Sequence, residues 1–361
     1  MRIALLTYST KPRGGVVHTL SLAEALARAG HDVTLWTLGR GGDTTFYRPV
    51  DPAVTVAAVP FPSIEGEPVG PRILRSIEVL RQAFPRRYAA EYDVVHAQDC
   101  ISANAVPECV RTIHHLDTFT TPELAACHER AITRPYAHIC VSAAVAREVN
   151  DGWGLTPAVI PNGVDWQRFS AANGASSRAR YGRYVLAVGG IEPRKGSLDL
   201  LEAYAQLADP DTALIFAGGE TLFDYRDYRN TFEARARELG VTAVMLGTVE
   251  DTEMPDLVAG AAALPFLSVK EGFGLAAMEA LAAGVPVVAR DLPVLREVFR
   301  DEVEYAADVP AMVAALRAAL DGAFEHRRQT GAALARTYSW DTAAAAHIAF
   351  YQSCEFPGNP H

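Results

Sequence analysis

"YVLAVGG", residues 184–190, is a run of aliphatic and aromatic residues that ends on two glycines, and "IEPRKGS" leads from it into a helical pattern over 197–208. Strand, glycine loop and helix in that order open a βαβ unit. The stretch decides the fold because the same rhythm occurs on both sides of it. Downstream, "TALIFAGG" (212–219), "AVMLG" (243–247), "AALPF" (262–266) and "PVVAR" (286–290) read as further strands, each separated by a helical segment. Upstream, residues 3–7 read as a buried strand. Leu22, Leu26 and Ala29 then mark a helix at i, i+4 and i+7, and Gly30 ends it. "HDVTLWTL" (31–38), "DVVHAQ" (93–98), "VRTIHH" (110–115) and "HICVS" (138–142) continue the alternation. Between the two series, "VIPNGVDWQRFS" (159–170) is turn chemistry. The reading is α/β: two Rossmann-like, doubly wound parallel-sheet domains, residues 1–160 and 161–337. A helical segment, 338–361, is expected to pack back toward the first domain. Two such domains are expected to face each other across a cleft, with the ligand at the carboxyl ends of the strands.

Composition narrows the function. A chain of 361 residues with 49% hydrophobic and 21% charged residues is a globular protein of about two domains. Its net charge of -10 argues against nucleic acid as a partner. Five scattered cysteines without a C-x-x-C point to reduced thiols in a cytoplasmic protein and to no zinc site. No apolar run reaches the ~20 residues of a transmembrane helix, and "MRIALLTYST" is expected to be a strand rather than a signal peptide. Peripheral membrane association is left open. The only D-x-D, "DPD" (209–211), is split by proline at a helix end, so it reads as a turn and not as a metal-binding motif.

Three loops that follow strands carry the chemistry. "RGG" (13–15) lies between the first strand and first helix, where Gly14 and Gly15 let backbone N–H groups approach an anion. It is not G-x-G-x-x-G, so a dinucleotide cofactor is disfavoured. In "GGIEPRKGS" (189–197), Arg194 and Lys195 stand at a helix start, against the dipole preference, unless an anion lies over them. The order Lys-Gly-Ser is not that of a P-loop. In "EGFGLAAME" (271–279), Gly272 and Gly274 tighten the chain before a helix starting near Leu275, with Glu271 in the loop and Glu279 inside the helix. A carboxylate suits a vicinal diol, so two acids around an anion-binding turn read as grips on a sugar and on a ribose, with diphosphate between them.

The ordered set "RGG", "TIHHLD", "VIPNGVD", "VGGIEPRKG", "LGTVED" and "EGFGLAAMEALAAGVPVVA" resembles retaining GT-B glycosyltransferases of family 4, whose E-x7-E segment the last stretch matches. The resemblance covers nearly the whole chain. It implies that Gly15 gives an N–H to the donor phosphate and that Arg194 and Lys195 neutralise the diphosphate leaving group. Glu271 would hold donor-sugar hydroxyls and Glu279 the ribose, with Phe273, Gly274 and Leu275 lining sugar and phosphate through backbone amides. His114 matches the active-site histidine, with His115 as the alternative. Many members carry an arginine where this chain has Gly190; here Arg194 is expected to supply that charge. "LGTVED" is expected to meet the base. No metal or cofactor is required, and a UDP- or GDP-sugar is the expected donor. The acceptor is expected to meet loops 40–48, 61–72 and 115–124, with His115 and Asp117 on its side, though Asp117 equally suits a helix cap. Glu65 and Glu67 disfavour a polyanionic acceptor near 61–72. A sugar-nucleotide 2-epimerase, a phosphorylase and a non-catalytic nucleotide-sugar binder remain rivals on the same architecture.

Overall fold

The computed structural model describes residues 1–84, 91–106, 108–119, 121–219 and 225–354. The chain divides into two compact units, 1–163 with 340–361, and 164–339. Among the described residues no helix is long and apolar enough to cross a membrane.

The first unit is built on seven strands: β1 (Arg2–Leu6), β2 (Asp32–Arg40), β3 (Val54–Phe61), β4 (Val94–Ala97), β5 (Val110–Ile113), β6 (Ala137–Cys140) and β7 (Ala158–Val159). They form one sheet in the order β3-β2-β1-β4-β5-β6-β7. Every pairing is parallel. Parallel strands covered on both faces read as continuous apolar runs, and Ile3, Ala4, Leu5 and Leu6 of β1 are all 0% exposed. The crossovers are α1 (Gly14–Arg28), α2 (Val69–Ala83), α3 (Cys100–Ala105), α4 (Pro122–Thr133) and α5 (Ala143–Trp153).

β3 and β7 escape the sequence reading. β3 pairs with β2 from Val33↔Val54 to Arg40↔Phe61, but it is an edge strand with mixed exposure and contains Pro60, so no alternation shows. β7 is only two residues long.

The second unit adds β8 (Arg183–Val188), β9 (Thr212–Ala217), β10 (Ala243–Gly247), β11 (Leu264–Phe266), β12 (Val287–Arg290) and β13 (Glu304–Ala306). Its helices are α6 (Trp166–Ser170), α7 (Ala175–Tyr181), α8 (Ser197–Leu207), α9 (Arg226–Leu239), α10 (Met254–Gly260), α11 (Leu275–Ala282), α12 (Pro293–Phe299), α13 (Val309–Leu320) and α14 (Arg327–Thr337). Two three-stranded sheets, β10-β9-β8 and β11-β12-β13, are joined by a parallel bridge between Val185 and Ala263. Leu186 N donates to Ala263 O at 3.1 Å, which sets β11 beside β8. The strand order therefore reverses between β8 and β11, and that is the switch point where an open α/β sheet leaves room for a ligand.

The last helix, α15 (Trp340–Ser353), belongs to the first unit. A Cβ on Gly163 would lie 2.5 Å from Trp340 N, so only glycine permits the two segments to pass there. Beneath α15 runs a buried polar ladder. His96 meets the Tyr351 hydroxyl at 2.6 Å through Nδ1 and the Thr112 hydroxyl at 2.7 Å through Nε2. His347 Nδ1 donates to Ala343 O at 2.7 Å, and His18 Nδ1 meets Asn162 Oδ1 at 2.8 Å. Burial pushes His18 and His96 well below the ordinary histidine range and His347 down to about 4, so the ladder is neutral.

Removing the Tyr351 hydroxyl leaves a buried ring nitrogen of His96 unpaired. Tyr351→Phe is expected to lower unfolding stability by about 1–3 kcal/mol. Urea denaturation checks it, and a change within error would show that the bond to His96 does not anchor α15.

Candidate functional site

β8 runs out at Val188 into Gly189, whose φ of +135° is a conformation that L side chains rarely adopt. A Cβ on Gly218, past the end of β9, would fall 2.2 Å from Gly189 C, so the exits of β8 and β9 touch backbone to backbone. The chain then turns through residues 193–195 into α8. β11 leaves by a second loop ending at Gly274, at φ +100°, where an added Cβ would stand 2.7 Å from Phe299 Cζ.

These two loops are clamped together. Val269 N donates to Arg194 O at 2.8 Å. Arg194 Nη1 donates to Lys270 O at 3.3 Å and to Glu271 Oε1 at 3.1 Å. Lys195 Nζ donates to the same Oε1 at 2.6 Å and stands 5.4 Å from the Phe266 ring centroid. The Arg194, Lys195 and Glu271 side chains are 28%, 21% and 11% exposed. The sequence points both cations at an incoming anion and Glu271 at hydroxyls; the structure brings all three into one ion-paired cluster. The two cations at a helix start thus have counter-charges within the protein, Glu271 for both and Glu192 at 3.7 Å from Arg194.

Gly274 caps α11 without a side-chain hydrogen bond, and no acid lies in the first turn. The first helical bond is Met278 N to Gly274 O, so the N–H groups of Leu275, Ala276 and Ala277 have no partner within the helix. Gly272 is buried, and the Phe273 ring is buried edge-on against Tyr338 with centroids 5.3 Å apart. Gly190 lies in the loop after β8, where a Cβ on Gly218 would meet its nitrogen at 2.6 Å.

Glu279, one turn into α11, has different company. Arg168, at the end of α6, pairs with Asp251 of "LGTVED" at 2.9 Å, and Glu279 sits within the fields of Arg168, Asp251 and Asp165. Burial is the main cause that pushes its carboxyl up to about 8; Arg168 opposes this while Asp251 and Asp165 add to it. At neutral pH Glu279 therefore carries a proton and can donate one hydrogen bond and accept another. Arg168, Asp251 and Asp165 were not singled out as side chains in the sequence. Arg168 and Asp251 are 83 residues apart, and no local pattern links them.

In the first unit, Gly14 and Gly15 do not form a loop as the sequence suggested. They are the first two residues of α1, with Arg13 at the N-cap and Val17 N bonded to Arg13 O at 2.8 Å. Paired glycines read as a break, but at a helix start their N–H groups need no intrahelical partner. A Cβ on Gly15 would meet the His114 ring at 3.8 Å, so His114, just past β5, lies over this first turn. Burial pushes His114 well below the ordinary range, and its Nε2 has no hydrogen-bond partner. His115 turns instead to Asp117, Nε2 to Oδ1 at 3.2 Å. Asp117 does not cap α4, whose N-cap position is Thr121, without a side-chain hydrogen bond. Residue 120 of the loop 115–124 lies outside the described residues, as do 355–361 of the terminal segment. Among the described residues no group of His, Cys, Asp and Glu is arranged to hold a metal.

Residues 12–168 match the family model described as Glycosyltransferase Family 4, and residues 175–336 match that of Glycosyl transferases group 1. The chain is 30% identical to a phosphatidyl-myo-inositol mannosyltransferase of Mycolicibacterium smegmatis, covering 99% of this chain and 95% of that one. It is 27% identical to an MMP alpha-(1->4)-mannosyltransferase of Mycolicibacterium hassiacum, covering 98% of each. It shares its fold with Anabaena HepE, solved in complex with UDP-glucose, at a TM-score of 0.77 and 18% identity, over 98% of this chain and 100% of that one.

Glu279 predicts a pH dependence of stability. The folded protein holds this proton up to about pH 8, whereas an ordinary glutamate releases it near 4.5, so the contribution is complete below 4.5 and is lost as pH rises through 8. Glu279→Gln, which cannot ionise, should match the parent near pH 5 and exceed it by on the order of 1–3 kcal/mol above pH 8. Melting curves across pH check this; an equal gain at both pH values would refute the buried-acid account.

Proposed function

Because the chain belongs to the family 4 glycosyltransferases and has the GT-B fold, we propose that it moves a hexosyl group from a nucleoside-diphosphate sugar to an acceptor hydroxyl, with retention of anomeric configuration and without a metal ion. The observation that carries this reading is the Arg194–Lys195–Glu271 cluster at the switch point of the second unit. Arg194 and Lys195 take the diphosphate, and the α11 amides of Leu275 to Ala277 take its remaining oxygens. Glu271, relieved of its cations, accepts from the donor sugar's hydroxyls. Glu279 binds the ribose as donor and acceptor together. From the first unit, Gly15 offers its amide to the donor phosphate and the neutral His114 imidazole bonds a sugar hydroxyl.

As the bond between the anomeric carbon and the phosphate oxygen breaks, negative charge grows on the diphosphate and the sugar becomes oxocarbenium-like. Arg194, Lys195 and the amides stabilise that charge as an oxyanion hole does. The acceptor hydroxyl attacks from the face that the phosphate leaves and gives its proton to the departing phosphate oxygen. The two mannosyltransferase relatives, matched over nearly their whole lengths, favour transfer over 2-epimerisation or non-catalytic binding, and they favour a mannosyl donor.

The test is the shift in melting temperature with UDP, GDP, ADP and their sugar conjugates in the presence of EDTA. A selective rise with one base, abolished in Glu279→Ala and Lys195→Ala, is expected. A charge-assisted hydrogen bond contributes ~1.5–3 kcal/mol, so Lys195→Ala should lower kcat/KM by about 10- to 150-fold. No rise with any nucleotide, or a loss below about two-fold, would overturn the assignment, and inversion at the anomeric carbon of the product would overturn retention.

A further inference from the structure

The helix after "RGG" and the stretch "VIPNGVD" carry two buried polar residues to which the proposed reaction gives no role, His18 and Asn162. His18 lies in the second turn of α1, three residues after Gly15, so the two share one face of that helix. His114, just past β5, lies over the same face. Its Nε2 and Cδ2 stand 3.8 Å from a Cβ built on Gly15, and its ring meets the His18 ring edge-on, with centroids 4.7 Å apart and planes at 77°.

His18 is 0% exposed and enclosed by rings. Besides His114, Trp340 packs edge-on at 5.4 Å, and His347 lies at 6.2 Å. His18 Nδ1 stands 2.8 Å from Asn162 Oδ1, and burial keeps the ring neutral. An amide oxygen only accepts, so the ring proton sits on Nδ1 and Nε2 carries a lone pair. Asn162 is itself buried, and the residue after it, Gly163, passes against the Trp340 backbone, 2.5 Å from an added Cβ. The His18 ring is therefore fixed from three sides: by α1, by residues 162–163 and by the start of α15.

Packing alone does not call for a histidine at this place. His18 Nε2 is buried without a hydrogen-bond partner, as are the Nε2 atoms of His114 and His347. A leucine would fill the position with no unpaired ring nitrogen, and a buried unpaired polar atom is destabilising. A planar ring locked by a hydrogen bond supplies what leucine cannot, a single orientation for the ring packed on it.

We propose that His18 is a positioning residue: anchored by Asn162, it holds the His114 ring in the orientation that presents Nε2 at the first turn of α1, where the donor sugar arrives. The proposal rests on the transferase reading and adds His18 and Asn162 to it. His18 touches no substrate and acts only through His114.

Turnover is read as release of nucleoside diphosphate from GDP-mannose or UDP-glucose in water, which needs no acceptor. His18→Leu, which removes both ring and bond, should lower kcat at least ten-fold. Asn162→Leu and His18→Phe, which break only the bond, should lower it at least three-fold. The melting shift with the nucleoside diphosphate alone should equal that of the parent, which shows that the variants are folded. In a His114→Phe background, His18→Leu should change kcat less than two-fold, because a residue that acts through His114 has nothing left to position. Should His18→Leu fail to fold, the other two variants carry the same comparisons. Histidine-ring NMR should find His18 protonated at Nδ1 in the parent and the His114 ring signals displaced in Asn162→Leu. An unchanged kcat in the folded variants, an equal loss with and without His114, or unmoved His114 signals would overturn the proposal. If the parent releases no nucleotide from either donor while its His114 signals respond, the transferase reading falls and the positioning of His114 stands.

Discussion

One carboxylate oxygen, Oε1 of Glu271, accepts from both Lys195 and Arg194, and the arrangement of the second unit's carboxyl edge depends on it. The two cations stand on the loop after β8 and the acid on the loop after β11, two strands that neighbour each other through the Val185–Ala263 parallel bridge. Partly buried cations with no counter-charge would be strongly unfavourable, and a shared acid meets that need only in part. Glu192, itself buried, stands 3.7 Å from Arg194 as a second acid, so the two cations are matched by two carboxylates.

Glycine geometry fixes the loops that carry the cluster. Gly218 packs on the backbone of Gly189 and Gly190, and Gly274 packs against Phe299 and Phe266. Loops held at backbone contact present their N–H groups at fixed positions, and the helix ends behind them add unpaired donors. The first unit repeats the device with other means: Gly15 and the α1 amides lie against His114, whose ring in turn meets His18 edge-on at 4.7 Å. Burial keeps both rings neutral, so this region offers hydrogen bonds where the second unit offers charge.

What the sequence shows follows from burial. Strands covered on both faces, such as β1 and β9, are continuous apolar runs and were legible within a residue or two. β3, half exposed and interrupted by Pro60, and β13, with three residues, carry no such signal. The glycine loops after β8 and before α11 were legible because positive φ leaves a compositional mark, whereas Gly14 and Gly15 carry the same composition into a helix start. Partnerships were not legible. Lys195 and Glu271 lie 76 residues apart, and only the closing of the sheet brings them together.

The E-x7-E segment places two chemically identical acids at opposite ends of one short turn and helix, and the fold then makes them different. Glu271 faces two cations, which favour its charge. Glu279 faces one arginine that is already paired with Asp251, and the further acid Asp165, in a buried setting that disfavours charge. The first is thus an electrostatic partner, available to a ligand only when something more negative displaces it. The second is a neutral hydrogen-bonding group, able to give and receive at once, as a diol requires. Exchanging the environments would exchange the roles, because nothing in the two side chains themselves distinguishes them. Seven intervening residues suffice because Gly274, in the left-handed conformation, starts α11 between the two acids, so that Glu271 stays in the loop while Glu279 lies in the helix.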